Sequence, residues 1–219
     1  MTHNTEDFAS MTFDFGENFL DTIDSDTTER QKATAYATRS KRQNRRAKSE
    51  ETLNEILPPV IKDGEAWHIL SSGDIDSLSY LAHLLSSIPM DHVILSTWCM
   101  AMEDVNQLAA WLDEGRIGRL DAYVGEIFPS QYTDEHEQLV ALLQQHGKGR
   151  VAVFRNHSKV YLCRSGDQAW VIESSANINT NPRTENTVIT ADIGLYLHHK
   201  AYFDGIKSFN RDFDQWTPT

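Results

Sequence analysis

The sequence predicts an α/β sandwich, a mixed and largely parallel sheet flanked by helices, preceded by an N-terminal extension. Three observations predict it. From residue 66 onward, short runs of β-branched and aromatic residues alternate with amphipathic segments, the pattern of strand-helix units that build parallel strands. From Val151 two strand-like runs follow each other with only turn chemistry between them, which closes the sheet with an antiparallel element. Before residue 60 the composition differs in kind, and Pro58-Pro59 punctuates the chain there. The expected division is an extension over residues 1–60 and a domain over residues 61–219.

Taken in order, Met1 to Glu29 holds eight acidic residues and no Lys or Arg, mixed with Phe8, Met11, Phe13, Phe15, Phe19 and Leu20. Acidic-hydrophobic alternation of this kind reads as a mobile tail. It serves as a docking peptide for a protein partner, as a cover for the basic segment that follows, or as a solvating leader. Arg30 to Lys48 holds eight basic residues and no acid, with good helix formers and neither Pro nor Gly. A helix that forms on an anionic surface fits that composition, and nucleic acid is such a surface, with Arg39, Lys41, Arg42, Arg45, Arg46 and Lys48 as candidate phosphate contacts. The alternative is a solvated, charged linker helix.

Trp67 to Leu70 reads as the first strand, and Ser71-Ser72-Gly73-Asp74 as the cap of a helix whose apolar positions Ile75, Leu78, Leu81, Ala82, Leu85 and Ile88 fall three or four apart. His92 to Thr97 is a second strand, followed by a helix over Glu103 to Glu114 with Val105, Leu108, Trp111 and Leu112 inward. Leu120 to Gly125 is a third strand, and Thr133 caps a helix to His146 built on Leu139, Leu142 and Leu143. Val151 to Cys163 and Gln168 to Glu173 then form a hairpin about Arg164-Ser165-Gly166-Asp167, and Asn186 to Thr190 adds a further strand. Leu195 to Phe209 has the spacing of a terminal helix.

The chain of 219 residues is 40% hydrophobic with five Trp, seven Tyr and nine Phe, enough for a packed core. No apolar run approaches the roughly 20 residues that a membrane-spanning helix needs, and Met1 to Glu6 lacks the basic and apolar regions of a signal peptide. The expected compartment is the cytoplasm, with no membrane partner. Cys99 and Cys163 stand far apart without metal-ligand spacing, and the nine histidines are scattered, so no metal or other cofactor is implied.

The chemistry gathers between Asn156 and Asn186, where His157, Lys159, Ser175, Asn177 and Glu185 fall within about thirty residues. On a strand, His157 and Lys159 project to the same side while Ser158, Val160 and Leu162 face the other. The return strand delivers Ser174-Ser175-Ala176-Asn177 near the same end, and Glu185 enters the next strand there.

The series H-x-K, S-S-x-N and R-T-E-N-T-V-I resembles the H-x-K, G-S-x-N and N-x-E series of the phospholipase D superfamily, in particular its single-motif bacterial nucleases. The resemblance extends from Trp67 to Trp216. Where the family places an Asp five residues after the Lys, this chain has Arg164. Asp167 keeps the spacing to the second motif if the hairpin is three residues longer, and Ser174 stands where the family has a glycine.

The resemblance implies the sandwich fold and a metal-independent phosphodiesterase, acting on nucleic acid. In that reading His157 attacks phosphorus, Lys159 and Asn177 hold the non-bridging oxygens, Glu185 orients and polarises His157, Ser175 hydrogen-bonds within the set, and Asp167 is structural. The chemistry calls for two imidazoles, one neutral nucleophile and one protonated acid, yet His198-His199-Lys200 lies in the terminal helix with no S-x-N strand after it. A homodimer would supply the second copy of His157. The rival reading is a catalytically inactive nucleic-acid-binding or scaffold protein, which the net charge of −12 favours by repelling a polyanion.

Overall fold

The computed structural model describes residues 41–147, 149–178 and 183–209. The chain forms helix α1 (Lys41–Ile56), strand β1 (Ala66–Ser71), α2 (Ser77–Ser87), β2 (His92–Thr97), α3 (Met102–Asp113), β3 (Leu120–Gly125), the short α4 (Phe128–Gln131), α5 (Thr133–His146), β4 (Gly149–Phe154), β5 (Val160–Ser165), β6 (Gln168–Ser174), β7 (Glu185–Ala191) and α6 (Ile193–Asp204). The seven strands make one mixed sheet in the order β1-β7-β6-β5-β2-β3-β4.

The sandwich is the expected α/β class, but the weight of the sheet is antiparallel rather than largely parallel. Only β2-β3 and β3-β4 pair in parallel, while β1-β7, β7-β6, β6-β5 and β5-β2 are antiparallel. The strand-helix-strand rhythm does make β1 and β2 point the same way. They are not neighbours, because β7, β6 and β5 insert between them.

A second difference concerns the run expected as one strand from Val151 to Cys163. It breaks after Phe154 and resumes at Val160. The topology requires the break: β4 is an edge strand beside β3, whereas β5 pairs on the far side of β2, so the chain must pass over the ends of β3 and β2. Residues 155–159 make that passage, and His157 therefore stands in a loop rather than on a strand.

Alternation along the strands sorts the core into two layers. Val93, Leu95, Ala122, Val124, Val151, Val153, Tyr161, Cys163 and Ile172 face a cluster completed by Leu53 of α1, Leu78 and Leu81 of α2, Val105 and Leu108 of α3, and Leu139 and Leu143 of α5. Ile94, Tyr123, Ala152, Leu162 and Val171 face the other way, against Tyr196 and Phe203 of α6. Leu53, Leu57 and Ile61 are all buried in the first cluster, so residues on both sides of position 60 share one core. Residues 1–40, including the acidic-aromatic stretch and Arg39, lie outside the described residues.

Helix α2 begins later than the sequence pattern indicates. Its cap is Asp76, whose carboxylate accepts from Leu78 N at 3.1 Å, while Asp74 accepts from Ser72 N at 3.0 Å and closes the preceding turn. Helix α5 likewise begins at Thr133 itself, after Tyr132. Asp192 caps α6 by accepting from Leu195 N at 2.7 Å, and that helix ends at Asp204 rather than at Phe209.

Candidate active site

The strand registers bring the singled-out residues to one end of the sheet. Ser96 of β2 pairs with Val160, Val160 with Glu173, Ser174 with Thr187, and Ser71 with Glu185. The ends of β1, β2, β3, β4 and β6 and the beginnings of β5 and β7 therefore share one edge, which carries His157, Lys159, Ser175, Asn177 and Glu185.

Asn156 builds the loop on which His157 stands. It is 4% exposed, and its Nδ2 donates to Ser96 Oγ at 3.0 Å, to the Thr97 carbonyl at 3.1 Å and to the Tyr123 carbonyl at 2.9 Å. Its Oδ1 accepts from Ser158 N at 2.9 Å and from Ser158 Oγ at 2.7 Å, and Ser158 Oγ also meets Ser96 Oγ at 2.6 Å. One amide thus ties the crossing chain to the ends of both strands that it passes, and presents the exposed His157 outward. In sequence, Asn156 before a histidine reads only as turn chemistry, so this role was not legible.

Lys159 is 8% exposed and its chain folds back on His157: Nζ lies 3.0 Å from Nδ1, 3.4 Å from Nε2 and donates to the His157 carbonyl at 2.6 Å. Burial lowers the ammonium pKa from the usual lysine range, and the charges of Cys99 and Glu185 oppose that fall. Lys159 O accepts from Ser174 N at 2.9 Å, which ties this cation to the second motif.

In the second motif Ser174 turns its hydroxyl to Thr187 Oγ1 at 2.8 Å and accepts from Ala176 N at 3.1 Å, so Ser174 closes the turn. Ser175 Oγ donates to Glu185 Oε2 and accepts from Asn186 N at 3.0 Å. Glu185 thus meets Ser175 and not His157. Asn177 Oδ1 is buried with no hydrogen-bond partner among the described residues, an open acceptor at the site. Asp167 lies in the β5-β6 turn, away from this edge.

Trp98, which the sequence pattern did not single out, packs beside His157 with ring centroids 5.8 Å apart and planes at 57°. His198 and His199 sit on α6: His199 Nε2 lies 3.4 Å from Glu173 Oε1, on the face that α6 covers, and Lys200 pairs with Asp204 at 2.6 Å.

The basic segment is built into the fold more than its charge indicates. Arg45 donates to the Gly73 carbonyl, and Arg46 donates to Asp104 Oδ1 at 2.5 Å and lies 3.6 Å from Asp76 Oδ1. Ser49 Oγ accepts from Asp76 N at 2.9 Å and donates to the Arg45 carbonyl at 2.9 Å. Lys48 is exposed, and Lys41 and Arg42 open α1. Among the described residues, no three His, Cys, Asp or Glu side chains converge so as to hold a metal ion, and no helix is long and apolar enough to cross a membrane.

No family model matches the sequence, and no curated protein matches it. Among solved structures the chain is similar to polyphosphate kinase from Porphyromonas gingivalis, at 16% identity and a TM-score of 0.47, covering 70% of this chain and 26% of that one. It is similar to NucT from Helicobacter pylori at 18% identity and a TM-score of 0.46, covering 64% of this chain and 94% of that one. Phosphatidylserine synthase from Haemophilus influenzae matches at 13% identity and a TM-score of 0.47, covering 63% of this chain and 37% of that one. The chain therefore spans about a quarter of the polyphosphate kinase and over a third of the synthase.

Proposed function

We propose that this chain is a metal-independent phosphodiesterase acting on nucleic acid through a phosphohistidine at His157, in a site completed by a second copy of the chain. The observation that carries the reading is the buried ammonium of Lys159 held 3.0 Å from the ring of the exposed His157, with Ser175, Asn177 and Glu185 on the same sheet edge. A preformed cation beside an imidazole suits a reaction in which charge grows on the oxygens of a phosphoryl group.

In the first step a neutral His157 nitrogen attacks phosphorus. The P–N bond forms, the P–O bond to the leaving group breaks, and that oxygen takes a proton from a second, protonated imidazole. In the second step water attacks phosphorus and gives its proton to that imidazole, and the P–N bond breaks. Lys159 and the Asn177 amide hold the non-bridging oxygens through both steps. Glu185 favours the charged form of Lys159, and its bond to Ser175 fixes the wall opposite the loop.

The second reading, a catalytically idle nucleic-acid-binding or scaffold protein, is favoured by the 24 acids against 12 bases that follow Lys48. One panel separates the two. The purified chain is incubated in EDTA with single- and double-stranded DNA, RNA and a chromogenic phosphodiester. Hydrolysis that disappears in His157→Ala supports the enzyme; hydrolysis that persists undiminished in that variant removes the mechanism, and binding without turnover supports the second reading.

A further inference from the structure

Trp98 is held by its chain neighbours on both sides and is partly buried, packed against the edge of the first core cluster without being closed off by it. Thr97 before it gives its carbonyl to Asn156, and the Thr97 hydroxyl donates to the Cys99 carbonyl at 2.9 Å. Gly125 N donates to the Trp98 carbonyl at 3.1 Å. A methyl group at Gly125 would stand 2.5 Å from Trp98 Cδ1 and 2.8 Å from Trp98 O, so the bare end of β3 is what lets the indole lie down against it. The result is a large flat ring packed against β3 at the rim of a polar site. Exposed arginines stand on the same edge: Arg155 opens the His157 loop and Arg183 precedes Glu185 by two residues.

We infer that Trp98 is a stacking platform for an unpaired base, so that the substrate of this site is a single-stranded nucleic acid. This rests on the phosphodiesterase reading for the position of the scissile phosphate at His157. A base attached to that phosphate through one sugar falls on the indole, whose centroid is 5.8 Å from the imidazole. In a duplex the same base is stacked and paired inward and does not reach a side chain at the groove edge without being flipped out. Aromatic stacking tolerates every base because each has a π-face, and flanking cations track the backbone, the combination used by proteins that bind single strands. Because the Trp98 indole already packs against Gly125, little side-chain freedom is lost on binding.

The test compares a short oligothymidylate, the same strand with abasic residues, and a duplex, with binding followed by fluorescence anisotropy in EDTA and cleavage followed separately. Trp98→Ala should weaken binding of the oligothymidylate on the order of tenfold. Trp98→Phe should retain most of the affinity, and the abasic strand should bind the native chain and Trp98→Ala alike. In cleavage the loss should fall on KM with kcat retained. Equal effects of Trp98→Ala on base-bearing and abasic strands, or a duplex bound as tightly as the single strand, would overturn the platform. A fall in kcat on both strands would instead make Trp98 a positioning residue for His157, and overturns it too. If the native chain binds bases through Trp98 but cuts nothing, the platform stands and the phosphodiesterase reading fails. Circular dichroism of both variants establishes that they fold, and Trp98→Phe carries the base-dependence comparison if Trp98→Ala does not.

Discussion

Asn156 donates to the Tyr123 carbonyl across 2.9 Å, joining the loop of the candidate nucleophile to the end of a strand that the loop crosses without pairing. Replacing Asn156 by Ala leaves the Thr97 and Tyr123 carbonyls and Ser158 N without these partners. The expected cost is about 2–4 kcal/mol of stability, from several buried polar groups at once. Displacement of His157 by even about 1 Å would lower kcat on the order of 100-fold. Urea denaturation and single-turnover cleavage check the two parts, and full activity in a destabilised variant would show that the loop keeps its shape without Asn156.

The Lys159 ammonium titrates below the usual lysine range because it is buried, and Glu185 opposes that shift. Removing the carboxylate in Glu185→Gln should therefore move the Lys159 pKa further down. The 13Cε resonance of Lys159, followed by NMR against pH, reads this without any turnover. In the active native chain the alkaline limb of kcat/KM should lie below about 10.4, the ordinary lysine value, if Lys159 must be charged. An unmoved resonance in Glu185→Gln would separate the two residues electrically.

Arg46 sits between two carboxylates on different elements. Burial pushes Asp104 up to about 6, and Arg46 opposes that rise. A carboxyl with a raised pKa binds its proton more tightly in the folded state, so its contribution to stability falls as pH rises from about 4 to 6 and is then flat. In Arg46→Ala the pKa should climb further. The variant should be less stable by about 2–4 kcal/mol at pH 8, because a nearly buried carboxylate loses its partner, and the deficit should shrink at pH 5 as Asp104 takes a proton. Denaturation at the two pH values checks it, and an equal deficit at both would assign the loss to packing alone.

A site shared by two copies makes mixed assemblies informative. If each phosphate needs one His157 as nucleophile and one as acid, His157→Ala subunits mixed with native ones should give heterodimers as inactive as the mutant homodimer. Light scattering establishes the mass, and activity against mixing ratio then follows the square of the native fraction. A fully active monomer would leave His199, which already lies at Glu173 next to the second motif, as the acid to test.

The strands β1, β2 and β3 were legible almost to the residue, because short apolar runs between turn residues leave little choice. The order of the chemical side chains was legible too, since the motifs are local. What the sequence pattern could not carry was long-range neighbourhood. Nothing around Trp67 to Leu70 says that its partner is β7 rather than β2, so the balance of parallel and antiparallel pairs was misjudged. The break between Phe154 and Val160 follows from that same sheet order. Arg45 and Arg46 look like solvated charge until Gly73, Asp76 and Asp104 are seen beside them. Nothing in the pattern singles out Trp98, whose place beside His157 depends on Gly125 of a different strand.

The pairing of Ser71 with Glu185 joins positions more than a hundred residues apart. Glu185 points into the site only in that alignment, since a shift of one residue along β7 would turn its carboxylate to the opposite side of the sheet. Distant pairings of this kind close late, after local helices and the β5-β6 hairpin have formed. If the chain hydrolyses phosphodiesters as proposed, helical dichroism should recover ahead of turnover during refolding, and activity becomes a clock for the moment at which the first strand finds the last.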